Sequence, residues 1–541
     1  ALAGFPALLH GMTDGFRYVG TEESGLGYPA VSILCVAVTA GWALLPGSMI
    51  FPFTVALAGA EGGEAIGTAR GSGAQLGRLL AANTCGAIAG ALFSPFVLLP
   101  LTGLWGAFLT LSFFYALPAI FLRDSRLLSR RSREVLLAIG WIALLSLASP
   151  LSYPLTTLGP DERLLDQHSS AAGLVSVVEK AGERLIRTDN HYALGGSAER
   201  IHQERQGHLP LLLHAAPRHV AFIGAATGIT AGAALAHPVE EIDLVELVPS
   251  IASAARDFFS DSNRGIYADP RTRVVIDDAR NFVRASAERF DVVVADLFVP
   301  WRSGTGALYT LEHFQAVRDH LAPDGLFCQW LPLYQLDEEE FRIIAATFVD
   351  VFPRSALFRG DFFGAFPIVA LVGWEGRPPA PDRVHASIAR FAAAGERDRW
   401  MTTPLGFWAL YAGPLSALAT RTVDRNTDDR PRIEFLAARG HAGGGRGKLD
   451  PLVGLAWRRF EEPLRRAVRK GEDPVFPDLP AAARRAAEGG GLLQYAGALY
   501  AMGRPRDSLQ ALSLAAARLP ARLVAEGEAD PSAAEVWYPD R

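Results

Sequence analysis

Four short apolar runs constrain the middle of this chain more than anything else in it. His219-Val-Ala-Phe-Ile-Gly224 ends on glycine, Glu241-Ile-Asp-Leu-Val-Glu246 ends on an acid, and Phe290-Asp-Val-Val-Val-Ala295 runs into Asp296. Between the second and third, Arg273-Val-Val-Ile276 leads to Asp277 and Asp278. After the first run, Ala225-Ala-Thr-Gly228 turns into a small-residue helix expected over 229–237. Strands buried on both faces read as unbroken apolar runs, and strand, turn and helix repeated at this spacing predict a parallel α/β sheet. In such a sheet a ligand lies beyond the carboxyl ends of the strands. Gly224, Glu246, Asp278 and Asp296 all stand at those ends, so they can converge on one crevice.

That set suits a nucleoside. A turn free of bulky side chains lets the backbone approach a ligand, and an acid after the second strand can accept both hydrogens of a ribose diol. Gly224-Ala-Ala-Thr-Gly228 lacks the full dinucleotide fingerprint, and no Lys-Ser/Thr follows it as in a P-loop. The signal is the spacing of four groups over four strands.

Further segments make a resemblance specific. Ile201-His-Gln-Glu-Arg-Gln-Gly-His-Leu-Pro-Leu211, the run from Val220 to Gly228, Val245-Glu246-Leu-Val, Asp278-Ala279 and Asp291-Val-Val-Val-Ala-Asp296 together resemble the spermidine synthase (aminopropyltransferase) family over roughly residues 170–375. Pro300-Trp-Arg-Ser-Gly-Thr-Gly306 and Gln329-Trp-Leu-Pro-Leu-Tyr334 are similar to a branch fused to a membrane domain related to major facilitator transporters. The resemblance implies a Rossmann-like catalytic domain preceded by a small β domain. It also implies S-adenosylmethionine (SAM) or decarboxylated SAM as co-substrate, with methylthioadenosine released.

Roles follow from the resemblance residue by residue. Asp296 falls on the aspartate that helps deprotonate the attacking amine, and Glu246 on the ribose-binding acid. Asp278, with Ala279 beside it, falls on the acid that meets the adenine amino group; a helix N-cap is its alternative reading. Gly224, Ala226, Thr227, Gly228 and Gln203 complete the expected nucleoside site. His202, Val299, Trp301, Arg302 and Gln329 are the expected substrate pocket. The chain departs from the family at three places: Thr227 replaces an aspartate of the turn, Val299 a second acid after the fourth strand, and His202 a tyrosine. Two anionic contacts for a cationic substrate are missing and Arg302 lies nearby in sequence, so the nucleoside half of the site is better preserved than the amine half.

The flanks differ in kind. Half of the 541 residues are apolar, no charge falls in 24–60 or 79–122, and about 20 apolar residues suffice to cross a bilayer. Spans are expected at 28–46 and, shorter, 49–60, then a helical hairpin over 74–99 and 103–122, and a last apolar segment at 135–151. Gly86 and Gly90 form a small-xxx-small pair suited to close helix packing. A soluble domain with apolar core helices is the alternative. Five arginines in 123–133 form a loop expected to face the cytoplasm, which conflicts with a cytoplasmic catalytic domain if 135–151 spans fully. Small strands are expected at 174–178 and 184–187, closing strands at 356–363 and 367–374, a strand at 433–435, and one helix–turn–helix unit over 493–519.

The fold class expected is thus multidomain: a transmembrane helical domain at 1–155, a small β domain at 160–200, and a Rossmann-like catalytic domain at 201–436. A glycine-rich linker at 437–448 and a helical C-terminal region at 449–541 follow. Net charge is −5 without a long basic run, which gives nucleic-acid binding no support. His202, His208 and His214 recur every six residues and so do not share a helical face; no metal site is read from them, and His208 is expected to make a structural hydrogen bond. The expected partners are the bilayer and a small molecule, the expected place a bacterial-type inner membrane, and a homodimer stays open. A SAM-dependent methyltransferase and a non-catalytic sensor or transporter are the other functional readings, because fold does not fix function.

Overall fold

The computed structural model describes residues 72–121, 154–190, 192–362, 366–418, 423–441 and 451–528, with scattered positions between 10 and 37. Most of the span at 28–46, the span at 49–60, the arginine loop, the segment at 135–151 and the glycine-rich 442–448 lie outside the described residues. The chain forms two compact units, residues 1–178 with 187–193 and residues 179–186 with 194–541.

In the first unit, helix Ser72–Phe93 passes through a π-helical turn, Ser94–Leu98, into helix Leu99–Phe121. Pro95 lacks the N–H that would continue the α ladder, which accounts for the wider turn. The break expected at 100–103 falls at Gly103, with φ 67° and ψ 177°. Leu76–Phe108 is long and apolar enough to cross a membrane, at mean hydropathy 1.8 with 6% of the apolar window buried. Gly86 and Gly90 meet no atom within 4 Å where a Cβ would stand, so the expected close packing is not formed among the described residues.

Four strands, β1 (Arg163–Ser170), β2 (Gly173–Lys180), β3 (Glu183–Thr188) and β4 (Tyr192–Gly196), form a sheet in that order. The sequence expectation reached only β2 and β3. Val175, Val177 and Val178 of β2 and Leu185 and Ile186 of β3 are buried, and the two strands turn at Ala181 and Gly182, both at positive φ as a tight hairpin requires. β1 is largely polar and β4 ends in two glycines, so neither carries a readable apolar pattern.

The large sheet holds β5 (His219–Ile223), β6 (Glu241–Glu246), β7 (Thr272–Ile276), β8 (Phe290–Ala295), β9 (Leu321–Pro332), β10 (Ser355–Arg359), β11 (Ile368–Trp374) and β12 (Tyr411–Pro414). Their order is β12-β10-β11-β9-β8-β5-β6-β7. β9, β8, β5, β6 and β7 run parallel, while β11, β10 and β12 add antiparallel pairs. The chain winds outward from β5 to β7, then returns to β5's other side with β8. The switch point therefore lies between β5 and β8, where a crevice opens beyond the strand ends.

Two expectations change here. Residues 433–435 are not a strand: helix Arg432–His441 takes them and runs into the stretch expected as linker. Ile433 and Ala437 are buried four residues apart and Leu436 packs against the same core, which is helical periodicity. The C-terminal helices are also not set apart from the sheet. Trp457, Phe460 and Leu464 belong to one core with Phe341 and Leu371, and Phe476 and Leu493 to another with Trp374 and Trp408. Tyr411 of β12 donates to Asp473 at 2.6 Å, and the fully buried Arg359 of β10 pairs with Glu461 at 2.7 Å. The helix–turn–helix unit is present as Ala481–Ala501 and Pro505–Ala516, with Gly503 at φ 70° in the turn.

Candidate active site

The turn after β5 is shaped by backbone conformation. Gly224 has φ 87°, Ala226 φ 45° and Gly228 φ 76°. A left-handed alanine costs about 1–2 kcal/mol, a strain of the kind that gathers at functional turns. At Gly224 a Cβ would meet Phe298 at 3.3 Å and Asp296 Cβ at 3.5 Å, so the turn and the end of β8 stand side by side. Glu246, buried at the end of β6, holds the turn from the other side. Its Oε2 accepts from Ala225 N–H at 3.1 Å and its Oε1 from Val248 N–H at 2.9 Å. Burial pushes this carboxyl up and the backbone donors hold it down, with burial winning. Each oxygen keeps a lone pair for a ligand hydroxyl.

Asp296 caps β8. Its backbone N–H donates to Ile223 O at 3.0 Å, and its Oδ1 accepts from Leu297 N–H at 2.8 Å. The residue keeps some exposed surface, yet its carboxyl is enclosed. Burial first, and the negative Glu246 second, raise it to about 6, while the Leu297 N–H works against them. Gln329 pairs with Ala295 in the β8–β9 register. Its amide nitrogen donates to Trp330 O at 3.0 Å, and its carbonyl oxygen is buried with no hydrogen-bond partner among the described residues.

The loop after Asp296 carries Val299, buried, with Trp301 and Arg302 half-buried. It is pinned from far along the chain. Glu434 accepts from Gly304 N–H at 2.7 Å and Gly306 N–H at 3.1 Å, and Asn426 donates to Gly306 O at 2.9 Å. A Cβ at Gly306 would sit 2.7 Å from Glu434 N, so only glycine fits there. The helical form of 432–441, which the sequence did not reveal, is what presents Glu434 to this loop.

Helix Arg200–Leu212 brings Gln203 to the glycine turn. Thr227 Oγ1 donates to Gln203 Oε1 at 2.5 Å, and Gln203 Nε2 donates to Gly196 O at 3.0 Å. His202, one residue earlier, has Nδ1 3.7 Å from Asp361 Oδ2. Asp361 is buried, and Glu199 beside this pair has its carboxyl raised by burial first and by Asp361 in part, with His202 opposing. Sequence reasoning missed Glu199 and Asp361. One precedes the helix and the other follows β10, and neither sits at the end of a parallel strand.

Asp278 serves as a helix N-cap: it is exposed and its Oδ1 accepts from Arg280 N–H at 2.7 Å, with Ala279 opening that helix. His208 makes the structural contact expected of it, 3.0 Å from His237. Among the described residues, His219, Glu241 and Glu288 also bring donor atoms together, at the opposite ends of the strands. Arg273 occupies that cluster, donating to Glu288 at 3.3 Å and to Asp243 at 2.6 Å. Of the cluster's two acids, Glu288 is thus already paired with a cation.

The spermine/spermidine synthase domain family matches residues 199–358. A polyamine aminopropyltransferase from Erwinia tasmaniensis is 32% identical over 231 residues, covering 41% of this chain and 79% of that protein. One from Aeropyrum pernix is 35% identical over 175 residues, 32% of this chain and 56% of that protein, so the chain spans little more than half of it. The crystal structure of spermidine synthase from Thermotoga maritima is similar at 23% identity, covering 45% of this chain and 88% of that one, with TM-score 0.38.

Proposed function

The chain belongs to the polyamine aminopropyltransferase family, and on that premise we propose that it binds SAM or decarboxylated SAM and breaks a sulfonium C–S bond, releasing methylthioadenosine. A nucleophile attacks the carbon beside the sulfonium. The C–S bond breaks with its electron pair left on sulfur, and the proton of an attacking amine passes to Asp296. The observation that carries the reading is Asp296 itself, a carboxyl raised to about 6 and set against the glycine turn. A base poised near neutral pH can take a proton in the transition state. Glu246 accepts from the ribose diol, Gln203 and Thr227 line the turn, and Asp278 and Ala279 lie toward the adenine. Gln329, Trp301, Arg302, Val299 and His202 border the acceptor side.

Thr227 favours intact SAM over decarboxylated SAM, because no acid stands there to repel the methionyl carboxylate. The substrate's own chain can then serve as nucleophile, closing a ring as the C–S bond breaks; or a base takes a proton from the carbon next to the one bound to sulfur, and a double bond forms as the C–S bond breaks. Asp361 and Glu199 favour the second reading, aminopropyl transfer to a cationic amine, by supplying acids where Val299 and Thr227 supply none. Incubating the purified protein with SAM, and with decarboxylated SAM plus putrescine, separates the two by mass spectrometry. Methylthioadenosine from either supports the proposal; adenosylhomocysteine from SAM, or no turnover of either, overturns it.

The same proposal places the enzyme in a membrane. Leu80, Ile88, Leu92, Phe96 and Leu101 lie exposed along 76–108, which suits acyl chains as solvent. The full chain should then require detergent for extraction; recovery in the supernatant after ultracentrifugation without detergent would refute this part.

A further inference from the structure

Tyr267 lies over the glycine turn. Its Cε2 is 2.8 Å from where a Cβ on Gly228 would stand, so the absence of a side chain at Gly228 makes room for this ring. Asn263, four residues earlier, fixes the same turn by donating to Thr227 O at 3.1 Å and to Ala255 O at 3.1 Å. The ring is half-buried, but the phenolic oxygen is shut off from solvent and has no hydrogen-bond partner among the described residues. A buried hydroxyl left unpaired is unfavourable, and native proteins seldom keep one without a use. The hydroxyl is also within electrostatic reach of Glu246: burial first and Glu246 second hold the phenol protonated, raised well beyond its ordinary value. Tyr267 and Glu246 thus meet one and the same turn, the ring at Gly228 and the carboxylate read as the ribose acceptor at Ala225 N–H.

Resting on that reading of the site, we propose that Tyr267 is a nucleoside-positioning residue whose O–H donates to a ribose hydroxyl of the bound ligand. Each ribose hydroxyl is both donor and acceptor. One that gives its hydrogen to Glu246 still has lone pairs to take the hydrogen of Tyr267. Glu246 and Tyr267 then read the sugar as a pair, one accepting and one donating. The pair selects an intact ribose over a deoxy sugar or a free base.

The experiment is calorimetric titration of wild type and Tyr267→Phe with 5′-methylthioadenosine and with adenine, alongside the thermal midpoint of each unliganded protein. Loss of one uncharged hydrogen bond should weaken methylthioadenosine about five- to ten-fold. Adenine should bind the two proteins alike. The unliganded variant should be as stable as wild type or more so, because the substitution removes an unpaired polar atom. Equal methylthioadenosine affinity in the two proteins overturns the inference. So does an equal loss for adenine, or a lowered midpoint accompanying weaker binding of both ligands, which would mark a merely structural tyrosine. Wild type that binds no methylthioadenosine overturns the nucleoside reading itself.

Discussion

Replacing Asp296 by asparagine should slow the chemistry and steady the fold together, because both effects come from one enclosed carboxyl. The ordinary value of 3.8 is raised to about 6 in the folded chain. Below about pH 4 the group is protonated whether folded or unfolded and contributes no difference. Between about 4 and 6 the folded chain holds the proton more tightly, so stability falls as pH rises; above about 6 the whole penalty is present. Two pH units correspond to roughly 3 kcal/mol, and partial exposure of the residue brings the expected figure to about 1–3 kcal/mol. Asparagine keeps the shape and carries no charge. The variant should therefore gain thermal stability over wild type at about pH 8 and much less of it at about pH 5. Its turnover should drop about 10²–10⁴-fold, the usual share of a general base. Wild-type kcat/KM should rise with pH through about 6, and the variant should lack that limb. Differential scanning at the two pH values and a pH–rate profile by methylthioadenosine release measure both effects. Near wild-type turnover in the Asp296→Asn protein, with an unchanged acid limb, would refute the assignment of the base. An equal stability difference at both pH values would refute the origin of the raised carboxyl.

Three further outcomes are expected. Glu246→Ala removes an acceptor from Ala225 and Val248 as well as from the ligand, and should weaken methylthioadenosine by about 1.5–3 kcal/mol in calorimetry. Thr227→Asp sets a carboxylate against Gln203 and the methionyl carboxylate of SAM; like charges about 4 Å apart at an effective dielectric near 20 cost roughly 4 kcal/mol. The ratio of kcat/KM for decarboxylated SAM to that for SAM should rise several-fold, and a ratio that stays put shows that Thr227 does not face the amino-acid end. Glu461→Gln leaves the buried Arg359 without its carboxylate at the far edge of the sheet, and should cost about 3–5 kcal/mol, read as a lowered thermal midpoint.

Much of the glycine-turn half of the candidate site was legible because its signals are local. β5, β6, β7 and β8 stand where their apolar runs put them, and Gly224, Glu246 and Asp296 stand at the strand ends. What escaped was the strand without an apolar pattern, as with β1 and β4, and the residue whose role depends on a distant neighbour. Asp278 shows the limit: the sequence admits both a ligand contact and a cap, and the structure has it capping a helix.

By itself the sequence determined which segments are strand or helix, because periodicity in apolar residues is set one element at a time; burial it did not, since β7 lies at the sheet edge with Val274 and Ile276 exposed. It determined the parallel sheet and the acids at its carboxyl edge. Only the tertiary structure decided what covers those segments and what faces the crevice. Glu434 reaches the loop after β8 from 128 residues away, measured to Gly306. Asp361 comes to His202 from beyond β10, and Tyr267 settles on Gly228. Helices 454–528, readable only as helices, fill the cores on both faces of the sheet. Such contacts join positions far apart in the chain, and local patterning cannot specify them; the packing of whole elements brings them together.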